Sequence, residues 1–501
     1  MGSRVRALSV THVRPTGTSN TDDHTIKLSL FDTLFIALTP IRRLFFYHAD
    51  DLPPFPDLVH TLRSSLAATL AVFPPLAGKV AVSSASGDND VVIDCSPSTI
   101  SQGGVRFVEA EYAGDLRRLA AAAEHDAEAY AQLAPALDVR KLPAPALAVQ
   151  VTRGIGAVVV GVSMNHVVAD GQALWEFIRA WAAAARGGGS TAAGVMPTFE
   201  RAAINMYPRA EEVARKFLRV FAPALPTVSA ELFVRHVRRQ CHRVGLLCLL
   251  SYFEFALQIT SSSEQVNTFP EPDNTIQGRR TYLLSASQIQ SLKHRISQHS
   301  EAAATNTDTT PDAVKPPPTS TYAAVASLVW TSAVRAKNSL NHADDNCYLM
   351  FAADCRARLR PPLPTAFFGN CAKSFYAKAT VGELRAGGNG GAAALAHAAA
   401  AVREAVREQL EDPLGDAERW LERHRALPPD RVVQIGASNR FAAYETDFGW
   451  GKPARVELAT VFVREFVAVV GAPGGGVQVS VALDQDRMDG FEASFLSQLH
   501  G

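Results

Sequence analysis

Two short stretches carry side chains suited to chemistry rather than to packing alone. The first is Asn165-His166-Val167-Val168-Ala169-Asp170-Gly171. Before it, Ala157–Met164 is apolar almost throughout, as in a strand buried on both faces. After it, apolar residues at helical spacing run from 174 to 186 and stop at Gly187, Gly188 and Gly189. His166 therefore falls on a strand-to-helix turn, where α/β proteins place reactive groups. An imidazole with the ordinary pKa of about 6.5 can act there as a general base at neutral pH. The alternative is a structural histidine at a strand end, with Asp170 capping the helix. A metal needs a third ligand, and none stands at a suitable local spacing, so no metal site is expected.

The second stretch is Asp447-Phe448-Gly449-Trp450-Gly451, preceded by Ser438-Asn439-Arg440-Phe441 and Tyr444. Glycines on both sides of a tryptophan let the backbone turn tightly, with positive φ if needed. Such a loop can aim N–H groups at a cofactor or an oxyanion. Taken alone, it is an aromatic turn.

Elements to position these residues are plentiful. Strands are expected at 5–13, 26–38, 91–94, 105–109, 147–152, 157–164, 347–353, 456–460, 465–470 and 476–483. Helices are expected at 58–73, 115–130, 174–186, 322–337 and 392–411. Residues 187–230 read as a connector, and 299–319 and 382–391 as loops. Strands and helices mix throughout two halves of similar size, so the expected fold class is α/β with two domains. With 47% hydrophobic residues in 501, the chain can build more than one core. Lys+Arg and Asp+Glu both number 49, which argues against a nucleic-acid partner held by a broad basic surface. The six cysteines contain no C-x-x-C pair, so reduced thiols are expected. The opening MGSRVRALSVTHVRP lacks the apolar core of a signal peptide, and no run reaches the roughly 18–20 apolar residues that span a bilayer. The expectation is a soluble, cytoplasmic protein with no membrane association.

HxxxDG at His166, Asp170 and Gly171 precedes DFGWG at 447–451 by about 280 residues, and Lys452-Pro453 continues the second motif. Upstream stands LRSSLAATLAVFPPLAG, from Leu62 to Gly78. Together these blocks resemble the plant BAHD acyl-CoA-dependent acyltransferases, over most of 5–228 and 270–498. A finer resemblance follows from Asp354-Cys355-Arg356-Ala357-Arg358-Leu359, which leads through Pro361-Pro362 to Phe368-Gly369-Asn370-Cys371. This is similar to the Tyr-Phe-Gly-Asn-Cys motif of anthocyanin and flavonoid glycoside acyltransferases, many of which use malonyl-CoA. Phe367 takes the Tyr position here. Phe367-Phe368 also reads as core packing before a turn.

The resemblance implies two similar-sized domains of chloramphenicol-acetyltransferase-like topology, each a mixed sheet with flanking helices, and an active-site channel at their interface. It assigns 1–228 to the domain with HxxxDG and 270–501 to the domain with DFGWG. It implies direct acyl transfer, with acyl-CoA as co-substrate and no tightly bound cofactor. His166 would be the general base, and Trp450 would line the channel and serve the oxyanion. Asp170 would be structural and paired with an arginine, Arg356 first and Arg358 second. Asp447, Gly449 and Gly451 would support the site architecturally. Ser285, Lys293 and Thr321 would contact CoA. The implied partners are a small-molecule acyl donor, malonyl-CoA favoured, and a phenolic glycoside acceptor, bound by a monomer. A malonyl carboxylate calls for a cation. No Lys or Arg lies between Gly171 and Ile178, so it must come from elsewhere.

Residues 229–269 match nothing in the resemblance. They hold Arg235, Arg238, Arg239 and Arg243, an apolar run at 244–253, and a Ser/Thr/Gln-rich stretch. They read as an atypical insertion that the fold does not use, such as a mispredicted coding boundary would leave; a membrane-surface or partner helix is the alternative. Three rival functions stay open: a hydroxycinnamoyl-CoA O- or N-acyltransferase, a non-catalytic acyl-CoA binder, and a condensation domain. The last usually has a second histidine before the motif histidine, where Asn165 stands here.

Overall fold

The computed structural model describes residues 3–17, 25–48, 50, 52–83, 90–188, 196–222, 277–305, 318–337, 339–340, 342–388, 391–463 and 465–501. The expected insertion at 229–269, and 306–317 of the expected loop, lie outside them.

Two six-stranded mixed sheets organise the chain. The first runs in the order Val5–Val13, Val105–Asp115, Leu147–Ile155, Ala157–Met164, Ile41–His48 and Arg455–Leu458. Its one parallel pair is Val105–Asp115 with Leu147–Ile155. The second runs Gln277–Leu284, Val477–Asp484, Phe466–Gly471, Val432–Ser438, Asn346–Asp354 and Ala372–Thr380. Val432–Ser438 is parallel to both its neighbours there. The first sheet takes five strands from before residue 165 and its sixth from Arg455–Leu458, whose Leu458 stands opposite Arg43. A small four-stranded sheet joins Thr25–Lys27, Val91–Asp94, Lys79–Val82 and Ala144–Pro145.

Helices cover the sheets where the apolar spacing demands it. Helix Phe55–Val72 buries Leu58, Leu62, Leu66 and Leu70, four residues apart on one face. It packs on helix Gly171–Ala185, whose Trp181 donates its indole N–H to Leu62 O at 3.2 Å and Ser65 Oγ at 3.1 Å. In the other half, helix Thr321–Ala336 is buried at every position from Ala323 to Val334. It lies among helices Ala392–Glu411 and Gln485–His500 and the second sheet.

Four local expectations change. Residues 26–38 are not one strand: Thr25–Lys27 gives way to helix Leu30–Thr33, because Ser29 and Asp32 form a capping box. The expected helix at 115–130 divides into Leu116–Ala121 and Ala127–Leu133, because Asp126 caps a second start and pairs with Arg4. The connector holds helix Ala210–Phe221, which buries Val213, Ala214 and Phe217. Where a loop was expected from 382, helix Val381–Arg385 forms on a Thr380–Glu383 capping box. No helix among the described residues is long and apolar enough to cross a membrane.

Candidate active site

The turn after Ala157–Met164 is set by Asn165, whose side-chain oxygen accepts from Val167 N at 3.1 Å while its carbonyl accepts from Val168 N at 3.0 Å. His166 therefore leaves the strand at a fixed angle. Its ring stacks flat on Phe35, with centroids 4.1 Å apart and planes 4° from parallel, and meets Phe462 edge-on at 5.8 Å. Nδ1 is buried with no hydrogen-bond partner. Burial pushes the imidazole pKa down to about 4, with Asp170 and Asn370 opposing the shift. The ring is neutral at pH 7.

Asp170 lies beneath, 3% exposed, and caps helix Gly171–Ala185 through Ala173 N at 3.1 Å. Arg356, 7% exposed, grips it in a fork: Nη1 to Oδ2 and Nη2 to Oδ1, both at 3.0 Å. Cys371 N adds a fourth bond at 2.9 Å. Burial alone would raise the carboxyl pKa, but Arg356 and the two backbone N–H groups hold it below the ordinary carboxylate value. Arg358, the second candidate partner, is exposed.

The motif Phe368-Gly369-Asn370-Cys371 wraps under this turn. Asn370 Nδ2 donates to His166 O at 3.1 Å, Val167 O at 2.8 Å and Asp32 Oδ1 at 2.9 Å. Asp32, fully buried, also accepts from Ser29 and from Arg201 Nε at 3.3 Å. Gly369 passes its carbonyl to Arg356 at 2.8 Å, and a Cβ there would sit 2.6 Å from Arg201 Nη2, so a side chain would have to displace the Arg201 guanidinium. Two buried ion pairs thus flank the loop that presents His166. Asp32 and Arg201 escaped the sequence reading. Ser29-x-x-Asp32 carried a capping-box signal for the first; nothing marked the second.

A cavity of about 830 Å³ opens between the two sheets. His166, Asp170 and Arg356 line it, with Phe35, Ile41, Phe441 and Phe462 among its apolar walls. That volume suits a small-molecule site. The DFGWG turn lies elsewhere. Asp447 Oδ1 accepts from Gly449 N at 2.7 Å and Gly451 N at 2.9 Å, both glycines at positive φ, and its carbonyl accepts from Arg186. Trp450 packs against Tyr47 and Phe448 and is not among the residues that line the cavity. Its ring is half-buried, and its Nε1 has no hydrogen-bond partner among the described residues. Ser285, Lys293 and Thr321 do not line the cavity either, although Ser320 and Tyr322, on either side of Thr321, do. Ser285 is exposed and bonds Gln288 at the start of helix Ala286–Thr305.

A model of the Transferase family matches residues 5–497, nearly the whole chain. The chain belongs to the BAHD acyltransferase family. It is an acyl-CoA-dependent acyltransferase, with acyl-CoA as its co-substrate. Malonyl-CoA:anthocyanidin 5-O-glucoside-6''-O-malonyltransferase of Arabidopsis thaliana is 28% identical over 98% of both chains. Phenolic glucoside malonyltransferase 1 of Arabidopsis thaliana is 25% identical over 98% of this BAHD chain and 96% of its own. Among solved structures, vinorine synthase superposes with a TM-score of 0.66 at 20% identity, covering 99% of this chain and 98% of that one. The two-domain α/β fold with mixed sheets is therefore the one implied by the motifs.

Proposed function

We propose that this acyltransferase moves a malonyl group from malonyl-CoA to a sugar hydroxyl of a flavonoid or phenolic glycoside, with His166 as general base. The observation that carries the mechanism is the neutral His166 ring at the wall of the cavity, with Nδ1 enclosed. Nε2 is the nitrogen left to face a substrate.

The acceptor hydroxyl hands its proton to His166 Nε2 as its oxygen attacks the thioester carbonyl. The tetrahedral species collapses, the C–S bond breaks, and His166 returns the proton to the departing thiolate. General-base help of this kind is worth roughly 10²–10⁴-fold. Asp170 does not face the reaction in this scheme. With Arg356, Asn370 and Asp32 it holds the turn, so that His166 needs no reorganisation.

The malonyl assignment draws support from the Phe368-Gly369-Asn370-Cys371 motif and from relatives named as malonyltransferases in Arabidopsis thaliana and Salvia splendens. A hydroxycinnamoyl donor is the second reading. It is favoured by the aromatic wall of Phe35, Phe441 and Phe462 and by relatives named as coumaroyltransferases. The deciding experiment is a matrix of malonyl-, acetyl- and coumaroyl-CoA against flavonoid glucosides, phenolic glucosides and amines, read by CoA release. Malonyl transfer to a glucoside supports the first reading; coumaroyl transfer with malonyl-CoA inert removes it.

A further inference from the structure

We propose that Arg43 receives a substrate carboxylate in the cavity beside His166, the free carboxylate of the acyl donor in the first instance. The proposal rests on the malonyl reading and names the cation it requires.

Strand Ile41–His48 places residues 41, 43, 45 and 47 on one face. Ile41, Phe45 and Tyr47 all enter the core of the first half on that side, and Arg43 stands among them, 4% exposed. A guanidinium at an apolar position is costly unless an anion meets it. Here its Nε has no hydrogen-bond partner, and its carbon lies 5.5 Å from the centre of the Trp175 ring. The carboxylate that influences it, Glu457, is already bonded by Arg455 at 2.6 Å, Thr281 at 3.0 Å and Ser480 at 3.0 Å. The other buried cations of the cavity are committed: Arg356 to Asp170, and Lys373 to Asp416 and Pro413 O. Among the described residues, Arg43 has no such anion.

Its position fits the reaction. Arg43 and Ile41 both line the cavity, and they pair with Val162 and Met164 on the strand that delivers His166. His166 lies four residues beyond Val162, about 13 Å of chain, a span that an extended arginine side chain and the malonyl group bridge together. A malonyl carboxylate is one methylene from the thioester carbonyl, which must come within about 3.5 Å of the attacking oxygen. A donor so placed brings its carboxylate toward the wall that holds Arg43, where a planar fork can take both oxygens.

The test compares wild type with R43M and R43K, using malonyl-CoA and acetyl-CoA, and glucoside acceptors with and without a free carboxylate. Melting curves check the fold, and R43K and R43Q carry the comparison if R43M does not fold. The malonyl-to-acetyl ratio of kcat/KM should fall about 10–150-fold in R43M, the worth of charge-assisted hydrogen bonds, with R43K between. If wild type prefers malonyl-CoA and R43M keeps that preference, Arg43 is overturned while the donor reading stands. Equal losses for both donors would also overturn it, leaving Arg43 a packing residue over Trp175. If wild type ignores the donor carboxylate but prefers a carboxylated acceptor, and R43M abolishes that, the site stands and the malonyl reading fails. No carboxylate dependence in either arm refutes both.

Discussion

Replacing Asp170 by alanine removes four accepted hydrogen bonds at once: two from Arg356 and one each from Ala173 N and Cys371 N. The first consequence is a stranded cation. Breaking a buried pair costs about 3–5 kcal/mol. Arg356 keeps Gly369 O and the half-exposed Asp354, so the low end, about 3 kcal/mol, applies. Loss of the cap on helix Gly171–Ala185 adds about 1 kcal/mol. A total of about 4 kcal/mol is a large part of the usual 5–15 kcal/mol. For a unit of about 200 residues it lowers Tm by about 8–16 °C. Asp170→Asn should fall between: one oxygen keeps two bonds, while the amide faces the donors Arg356 Nη1 and Cys371 N. The assay is thermal melting beside CoA release at a temperature where both variants are folded. An Asp170→Ala protein that melts like wild type yet has no turnover would refute the structural role and move Asp170 into the chemistry.

Three further outcomes follow from the same geometry. The His166 pKa of about 4 lies below the unfolded value of about 6.5, so the unfolded chain protonates first; its contribution to stability is lost as pH falls from about 6.5 toward 4. Initial-rate kcat/KM should accordingly hold on the acid side to about pH 5, whereas an acid limb at 6.5 would show a solvated, unshifted base. Asn370→Asp should lower Tm more than Asn370→Ala, because a carboxylate there faces Asp32 and two carbonyl oxygens; the reverse order would contradict the donor role of Nδ2. Trp450→Phe should keep turnover within about threefold, since the ring packs on Tyr47 and Phe448; a loss of 10²-fold, the size of a missing oxyanion donor, would return Trp450 to the site.

What could be read from the chain divides along physical lines. Ala157–Met164 and the helix after it were legible because all their information is local: an unbroken apolar run, then a cap and a 3.6 period. The Asp170–Arg356 pair follows from the cost of an unpaired buried carboxylate together with the motif. Strand Ile41–His48 escaped because Arg42-Arg43 interrupts its apolar pattern, and that interruption is what marks Arg43. Arg201 reaches Asp32 from 169 residues away, a contact that no spacing rule reports. DFGWG shows the same limit from the other side: two glycines and an aspartate define a turn, but where Trp450 docks depends on Tyr47, from a distant strand. Phe35 and Phe462, which hold the His166 ring, are ordinary apolar residues in sequence and become part of the site only by proximity.

The central claim is that His166 removes the acceptor proton. His166→Ala takes away a ring at the cavity wall that stacks on Phe35 and meets Phe462 but caps no helix and forms no ion pair among the described residues, so the fold and the donor site should survive. The decisive measurement is turnover of this variant by CoA release, with donor binding measured by calorimetry on the same preparation. The account predicts a fall in kcat of about 10²-fold or more, with donor affinity and Tm close to wild type. Near-normal turnover in a variant that binds donor normally would contradict it.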